Sequence, residues 1–399
     1  MSIDWSYLLG QFFFIPTPTL TDANLPSQAG RVFIVTDGYF LINQELAEIL
    51  YQRNGTVYIA GRLESKAEAA IAEIKSAHPS SDGRLEFLPL NLANLSTIKA
   101  SAENFLRKEA RLDVLTNSGN ILRPPNGPLK TPQGHELQMG NNCLGPYLFT
   151  HYLTPLLQKT AASSPKGSVR VTWSANIWAD ISPTGGVMLG EDGAPKVHGI
   201  GHDDYAQSKA ANVLLSRQYQ ALHSADGIVS NAFNPGNCAG PARRTDLTWY
   251  SRFLAYLTNY RPVFGAYTML YAGWSEEAGK KENWGKYVAP WGRIVGVRPD
   301  IGAQGEAANP GGNAIGAIWT FENETWFESL AVRFNGEILC TSLNGAEAYP
   351  VNTFGRTAIL VHNFGATDKA FGITKTGHDV LAVVTANFFL ETWPGSAEI

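Results

Sequence analysis

The sequence predicts an α/β fold, in which a doubly wound parallel sheet is followed by a small all-β segment. Three observations lead to this prediction. Strand-like runs alternate with stretches of helical apolar spacing from residue 31 to about residue 300. The 399 residues are 44% apolar, which supplies a sizeable core. Beyond residue 302 the runs become short and are separated by turns, which is typical of all-β structure.

The alternating part of the chain predicts right-handed βαβ units with helices on both faces of the sheet. β-branched and aromatic runs predict strands at 32–36, 56–60, 85–90, 112–115, 168–173 and 228–233. Helical spacing predicts helices from residue 44, at 63–77, from residue 94, at 134–157 and at 205–222.

The composition changes after this part. Residues 302–316 are rich in Gly, Ala and Asn and are predicted to form a linker. Short strands are predicted beyond it at 327–333, 338–340, 357–362 and 380–384, with turns at Asn335-Gly336 and Asn344-Gly345.

Composition and charge narrow the function. The net charge is −4, the pI is near 6.1 and no basic run occurs, which argues against nucleic acid and favours a small-molecule partner. The three cysteines (Cys143, Cys238, Cys340) have spacings that suit neither a disulfide framework nor a metal knuckle. We therefore expect reduced thiols, a cytoplasmic protein and no metal site.

The N-terminal arm, residues 1–30, carries apolar clusters at 5–9 and 12–15. It lacks the basic segment of a signal peptide and the length of a membrane span. We expect it to pack on the following domain, and a flap at the substrate entrance is the alternative.

The first strand-to-helix turn, residues 36–43, lies where a dinucleotide binds in folds of this kind. Glycines in such a turn let the backbone approach the pyrophosphate, which rests on the N-terminus of the helix. Most of those glycines are missing here. The function therefore depends on whether this turn still binds a cofactor.

A family resemblance follows from motifs in this order: Tyr58-Ile-Ala-Gly-Arg62, Phe87-Leu-Pro-Leu90, Leu112-Asp-Val-Leu115, Asn142-Cys-Leu-Gly145, Tyr205-Ala-Gln-Ser-Lys209, Asn234-Pro-Gly236 and Pro290-Trp-Gly-Arg293. Residues 31–303 resemble a short-chain dehydrogenase/reductase, which is a Rossmann fold. The resemblance is greatest to the retinol-dehydrogenase and WW-domain-oxidoreductase group of filamentous fungi.

The tail resembles a different family. Residues 322–399, after a linker at 304–321, are similar to the beginning of a gluconolactonase-like (regucalcin-type) propeller. The motifs are Trp326-Phe-Glu-Ser-Leu-Ala-Val-Arg333, Leu360-Val-His362 and Phe371-Gly-Ile373. Because one or two blades cannot close a propeller, we expect no propeller activity.

The resemblance implies a proton-transfer pair. Tyr205 would be the acid/base, and Lys209, four residues later on the same helix face, would favour the tyrosinate through its charge. Asn142 would hold a water in a proton relay, or would be an amide that stabilises the helix. The family's catalytic serine aligns with Asn176, whose amide can donate to a substrate oxygen; Ser174 would serve only if the strand end shifted by two residues.

The same resemblance implies that the cofactor site is degenerate. The three defining glycines of the family fall on Asp37, Leu41 and Asn43, and only Gly38, at a variable position, survives. A carboxylate at Asp37 would repel the two phosphates by several kcal/mol at an effective dielectric near about 20. The family's Asn-Asn-Ala-Gly appears as Asn117-Ser118-Gly119-Asn120.

Other cofactor positions are mixed. Asn91 replaces an acidic residue expected near the adenine, whereas Arg62 lies where the family binds the 2′-phosphate of NADP. If NADP or NADPH binds at all, the resemblance assigns its contacts to Thr36, Gly38, Ile42, Arg62, Asn91, Asn117, Pro235 and Gly236.

Three functions are consistent with these residues. The first is an NADPH-dependent carbonyl reductase or alcohol dehydrogenase, and the second is a cofactor-free acid/base enzyme for cyclisation, isomerisation or dehydration of a lipophilic secondary metabolite. The third is a non-catalytic binding subunit. Retained acid/base residues beside a broken cofactor site favour the second.

The substrate is expected to be lipophilic, since aromatic residues at 239–260 and a Gly/Pro-rich stretch at 178–203 lie where the family closes over its substrate. The resemblance implies a monomer or a homodimer with no membrane span.

Overall fold

A computed structural model describes residues 10–11, 15–122, 129–190, 194–199, 201–238 and 259–303, and the backbone of strands between 329 and 392. The chain divides into two compact units. One contains Met1–Val187 with Val197–Ile301, and the other contains Met188–Lys196 with Gly302–Ile399.

The first unit is built on an eight-stranded sheet of order β3-β2-β1-β4-β5-β6-β7-β8. The strands are β1 Val32–Thr36, β2 Thr56–Gly61, β3 Arg84–Pro89, β4 Val114–Asn117, β5 Arg170–Ser174, β6 Val229–Phe233, β7 Tyr287–Ala289 and β8 Arg293–Val295. Neighbours from β3 to β7 run parallel, and β8 pairs antiparallel with β7. The chain reverses its direction of winding between β1 and β4, where open α/β sheets bind ligands.

In the described part of this unit six long helices cover the sheet: α1 Ile42–Gln52, α2 Glu64–Ala77, α3 Leu95–Lys108, α4 Gly145–Ala162, α5 Gly201–His223 and α6 Pro262–Trp274. Shorter helical segments are Leu137–Met139, Ile177–Ile181, Glu276–Gly279, Lys281–Asn283 and Pro299–Ala303. The doubly wound parallel sheet predicted from the sequence is confirmed.

The core of this unit joins distant parts of the chain. Phe33 and Val35 of β1 pack in one cluster with Leu46 of α1 and with Met269 and Leu270 of α6, and all five are fully buried. The sheet therefore depends on residues from both ends of the unit.

Several predicted boundaries were wrong, most clearly those of the helix at 134–157 and of the strand at 112–115. Gly134 is not helical but lies in a turn with φ 86°, and helix formation begins only at Leu137. A π-helical turn, Gly140–Leu144, then leads into α4, which continues to Ala162 rather than ending at 157. The strand predicted at 112–115 is Val114–Asn117, because the Asp113 side chain accepts the backbone N–H of Val32 just before the strand.

The second unit is antiparallel, and the all-β character of the tail is confirmed. Strands β9 Ser329–Val332, β10 Ile338–Ser342, β11 Glu347–Asn352 and β12 Thr357–Ala358 pair in sequence, and β13 His362–Asn363 also pairs with β11. A separate three-stranded sheet contains β14 Ala370–Gly377, β15 Val380–Thr385 and β16 Leu390–Thr392. The propeller assignment stays a prediction. The linker predicted at 302–316 lies largely outside the described residues.

Candidate functional site

The proposed acid/base residue lies at the carboxyl edge of the sheet. Tyr205 is in the first turns of α5 and is 8% exposed. Its hydroxyl accepts a hydrogen bond from Asn176 Nδ2 (3.1 Å) and donates to Asn120 Oδ1 (3.3 Å). Two side-chain amides therefore bind the phenol, one as a hydrogen-bond donor and the other as an acceptor.

Asn176 is oriented by the segment that follows β5. Its Oδ1 accepts the backbone N–H of Trp178 (3.0 Å), so the NH₂ group faces Tyr205. The Trp178 ring packs edge-on against Tyr205, with centroids 6.1 Å apart. The structure thus brings Asn176, and not the Ser174 side chain, to the phenol.

Ser174 contributes through its backbone. Its hydroxyl donates to the carbonyl of Ala175 (3.4 Å), whereas its own carbonyl accepts from Lys209 Nζ (3.1 Å) and Asn212 Nδ2 (2.9 Å). The last peptide of β5 therefore anchors the buried face of α5.

Lys209 is completely buried, with Nζ 5.2 Å from the centroid of the Tyr205 ring. Burial lowers the pKa of Lys209 to about 7, because the charged form loses its hydration. The positive charge of a protonated Lys209 would lie beneath the Tyr205 ring, on the side of the phenol that faces the core.

Asn142 lies in the π-helical turn and does not contact Tyr205. Its Oδ1 accepts the backbone N–H of Ile121 (2.8 Å), and its Nδ2 donates to the carbonyl of Ile121 (3.0 Å) and to Ser208 Oγ (3.0 Å). The amide therefore ties the chain after β4 to α5, and both roles considered for Asn142 stay predictions.

The turn between β1 and α1 is fastened to the end of β4 by its own side chains. Thr36 Oγ1 accepts the backbone N–H groups of Ser118 (2.8 Å) and Gly119 (2.6 Å). Asn43, at the family's third glycine position, donates to the carbonyl of Thr36 (3.2 Å) and accepts from Ser118 Oγ (2.6 Å).

The other two glycine positions keep a backbone that favours glycine. Asp37 has φ 51°, and Leu41 has φ 43° with ψ −118°, a region that L-residues rarely adopt. Burial raises the pKa of Asp37, while Arg62 and a hydrogen bond from Tyr39 act in the opposite direction.

The remaining predicted cofactor residues are dispersed. Ile42 packs where a Cβ on Gly265 of α6 would lie, 2.7 Å from Ile42 Cγ2. Asn91 accepts the backbone N–H of Ala93 (3.2 Å) within its own turn, and Asn117 donates to Thr150 Oγ1 (2.9 Å). A Cβ on Gly38 would lie 2.9 Å from the carbonyl oxygen of Val35, so this glycine is needed for packing.

Pro235 and Gly236 follow β6 and connect to the N-terminal arm. Asn234 Oδ1 accepts the backbone N–H of Gly236 (3.0 Å), and its Nδ2 donates to Gln11 Oε1 (2.8 Å). Gln11 is 3% exposed and its Nε2 also donates to Asp180 Oδ2 (3.5 Å). At Gln11 the arm is thus packed into the domain, whereas most of its apolar clusters lie outside the described residues.

A small cavity opens between the turn and the proposed acid/base site. Its volume is about 70 Å³, and its wall includes Asp37, Arg62, Asn120, Ile121 and Asn141. Pockets for drug-sized ligands have roughly 300–1,000 Å³. Asn120 lines this cavity and also accepts the hydrogen bond from the Tyr205 hydroxyl.

Asn120 was missed as a site residue. In the sequence, Asn120 is the last position of an altered cofactor motif. Its contact with Tyr205 joins residues 85 apart in the chain, which the local sequence does not reveal. The sequence signal for Asn120 was an amide side chain at the end of a cofactor motif, next to the point where the strand order of the sheet reverses.

Comparison with known proteins decides the family. A short-chain dehydrogenase/reductase from Phomopsis amygdali is 41% identical over 325 residues, which cover 78% of this chain and 94% of the relative. The chain belongs to the short-chain dehydrogenase/reductase family. The short-chain dehydrogenase/reductase pkfC from Emericella nidulans is 40% identical over 289 residues, covering 71% of this chain and 91% of the relative. No protein-family model matches the sequence.

Solved structures agree with this family at the level of the fold. An uncharacterized protein from Mycobacterium paratuberculosis is 26% identical, with a TM-score of 0.51 over 73% of this chain and 94% of its own. The Pseudomonas aeruginosa RhlG/NADP complex is 23% identical, with a TM-score of 0.51 over 66% of this chain and 95% of its own. Within the described ranges no helix has the length and apolar character needed to cross a bilayer. In the same part of the chain no group of acidic, His and Cys side chains could hold a metal ion.

Proposed function

We propose that this short-chain dehydrogenase/reductase acts as a non-redox acid/base enzyme on a lipophilic substrate of secondary metabolism, by cyclisation, isomerisation or dehydration. One observation carries the proposal: Tyr205, Asn176 and Lys209 lie together, while the turn that would take a dinucleotide is fastened by hydrogen bonds of Asn43 to the Thr36 carbonyl and to Ser118.

The residues of this turn do not fit a nicotinamide nucleotide. Leu41 places a side chain where the pyrophosphate must approach backbone, and Asp37 adds a carboxylate of the wrong sign. Asn43 uses its amide on the backbone of the turn and on Ser118. No step of the proposed reaction therefore passes through a nicotinamide.

In the proposed reaction Tyr205 exchanges a proton with the substrate. Asn176 donates to the phenol oxygen and to a substrate oxygen that approaches it, which stabilises developing negative charge. At rest the phenol donates its hydrogen bond to Asn120 Oδ1, so the substrate oxygen must replace Asn120 as the acceptor before Tyr205 can protonate it. Lys209 supplies positive charge beneath the ring.

A second candidate is an NADPH-dependent reductase. It is favoured by membership of the family and by Arg62, which lines the cavity. Two solved relatives in the fold are described as complexes with NADP and with NADH, and at 23% and 20% identity they bear on the fold alone. A non-catalytic subunit is the third candidate.

The proposal is tested with a probe that needs proton transfer but no oxidant or reductant. A β,γ-unsaturated steroid ketone is isomerised to its conjugated isomer by moving one proton from the α-carbon to the γ-carbon, and absorbance follows the reaction. We expect turnover by the wild type, a fall of about 10²-fold or more for Tyr205→Phe, and no effect of NADPH.

Calorimetric titration with NADPH completes the test. Turnover that requires NADPH would replace the proposal with the reductase, and no turnover by the wild type would favour the non-catalytic subunit. Equal turnover by the wild type and Tyr205→Phe would show that Tyr205 is not the acid/base.

A further inference from the structure

The Tyr39 side chain covers the carboxyl end of β2. Its ring lies against Gly61, the last residue of that strand, so closely that a Cβ on Gly61 would be 2.8 Å from Tyr39 Oη. The neighbouring Phe40 is 58% exposed and takes no part in this contact. The cover is thus formed by one aromatic side chain of the turn.

The Tyr39 hydroxyl lies near the start of α2. The backbone of Arg62 and Leu63, directly before the helix begins at Glu64, and the Asp37 carboxyl group are close enough to this hydroxyl to affect its pKa. Desolvation and the nearby Asp37 charge raise the pKa of Tyr39.

This position is the one that an adenosine ribose needs. In dinucleotide folds the ribose 2′-position is recognised after the second strand, and a nearby arginine accommodates a 2′-phosphate. Here the Tyr39 ring lies against the end of β2, and Asp37 is close enough to Arg62 for their charges to interact. The space beside Gly61 is therefore filled by a side chain of the protein, while Arg62 lines the neighbouring cavity.

We infer that Tyr39 is the residue that excludes adenosine 2′-phosphate nucleotides from the end of β2, by filling the ribose position with its own phenol. This inference concerns the adenosine half of the groove. It is separate from the glycine positions 37, 41 and 43, which concern the pyrophosphate half, and from catalysis at Tyr205.

The probe is adenosine 2′-monophosphate, which carries the ribose and the 2′-phosphate but no pyrophosphate. Calorimetry of the full chain compares the wild type with Tyr39→Ala and with Phe40→Ala as the matched control. We expect Tyr39→Ala to bind the probe at least about tenfold more tightly than the wild type and Phe40→Ala to match the wild type.

Two further variants locate the binding. Tyr39→Phe keeps the ring over Gly61 but removes the hydroxyl near the backbone of Arg62 and Leu63. Its affinity for the probe should therefore lie between those of the wild type and Tyr39→Ala. Tyr39→Ala/Arg62→Ala should lose the gain, because Arg62 is the cation that the freed phosphate would contact.

Wild-type affinity equal to that of a folded Tyr39→Ala, verified by circular dichroism, would overturn the inference, as would a gain that survives loss of Arg62. The proposed function fails on a different result, namely NADPH-dependent turnover or full activity of Tyr205→Phe. The two failures are therefore distinguishable.

Discussion

At the scale of single residues, the Tyr205 hydroxyl shows how the proposed acid/base group depends on its neighbours. It is a hydrogen-bond donor to Asn120 and an acceptor from Asn176 at the same time. Since Trp178 fixes the orientation of the Asn176 amide, only the NH₂ group of Asn176 can face the phenol. The two amides thus differ in their effect on the phenol although their chemistry is the same.

We expect Asn176→Ala to lower steroid isomerisation by about 10²-fold, because it removes a donor aimed at the reacting oxygen. Ser174→Ala is the matched control: its hydroxyl contacts only the Ala175 carbonyl, so turnover should stay within about twofold of the wild type. The reverse ranking would assign the family's serine role to Ser174. Initial rates at saturating probe provide the measurement.

The burial of Lys209 makes the stability of the folded protein depend on pH. Because its pKa in the folded protein is lowered to about 7 from the usual 10.5, the unfolded chain binds a proton between these values that the folded protein does not. The destabilisation by Lys209 is therefore complete below pH 7 and is relieved as the pH rises toward 10.5.

We expect the unfolding free energy of the wild type to rise relative to that of Lys209→Met by up to about 1.4 kcal/mol per pH unit above pH 7. Comparing the two proteins cancels other groups that titrate in this range, including Arg170, whose pKa burial lowers to about 9. Urea unfolding at pH 7, 8 and 9 gives the difference, and a constant difference would mean that Lys209 keeps its ordinary pKa when buried.

At the scale of elements, the β1–α1 turn keeps a backbone made for glycine without having the glycines. Leu41 is the N-cap of α1 at φ 43°, and Leu63 is the N-cap of α2 at φ −108°. Neither leucine side chain forms a capping hydrogen bond with its helix. The two leucines thus share a role and differ in backbone strain.

We expect Leu41→Gly to increase the unfolding free energy by about 1 kcal/mol more than Leu63→Gly, because only position 41 relieves a left-handed conformation. The capping preference for glycine over leucine is common to both changes and cancels. Chemical denaturation measures both, and equal effects would show that the turn is not strained.

The sequence predicted the elements well and their ends less well, for physical reasons. The strand Val32–Thr36 is a continuous run of mostly β-branched residues, and its bounds were therefore predicted correctly. The start of α4 was not, because the π-helical turn at Gly140–Leu144 has no apolar period that differs from that of an α-helix.

The site divides in the same way. Tyr205, Lys209 and Asn176 were predicted from the family resemblance, through motifs that are each contiguous in the sequence. The contact of Tyr205 with Asn120 and the insertion of Gln11 beside Asn234 join segments 85 and 223 residues apart, which no local pattern encodes. The cover formed by Tyr39 depends on a neighbouring strand end in the same way.

At the scale of the whole molecule, the α/β unit closes with its last helical turn. Arg298 donates to the carbonyl groups of Asp180 (3.0 Å), Ser182 (2.7 Å) and Pro183 (2.5 Å). It also forms an ion pair with Asp300 (2.6 Å), whose carboxylate accepts the backbone N–H of Gly185 (2.7 Å).

These contacts place the end of the unit after Ile301, which is fully buried. All strands of the eight-stranded sheet, and the core cluster that includes Met269 and Val288, precede that residue. A chain that ends at residue 303 therefore contains every element of the unit, whereas one that ends at 297 lacks Arg298, Asp300 and Ile301.

We expect residues 1–303 to unfold in one cooperative transition within about 4 °C of the corresponding transition of the full chain. Residues 1–297 should be less stable by about 2–4 kcal/mol, because three carbonyl groups lose their donor and a buried isoleucine is removed. Differential scanning calorimetry of the three chains measures both effects. Equal melting temperatures for the two truncated chains would show that Arg298 does not close the unit, and loss of cooperativity in residues 1–303 would show that the eight-stranded sheet needs the tail to fold.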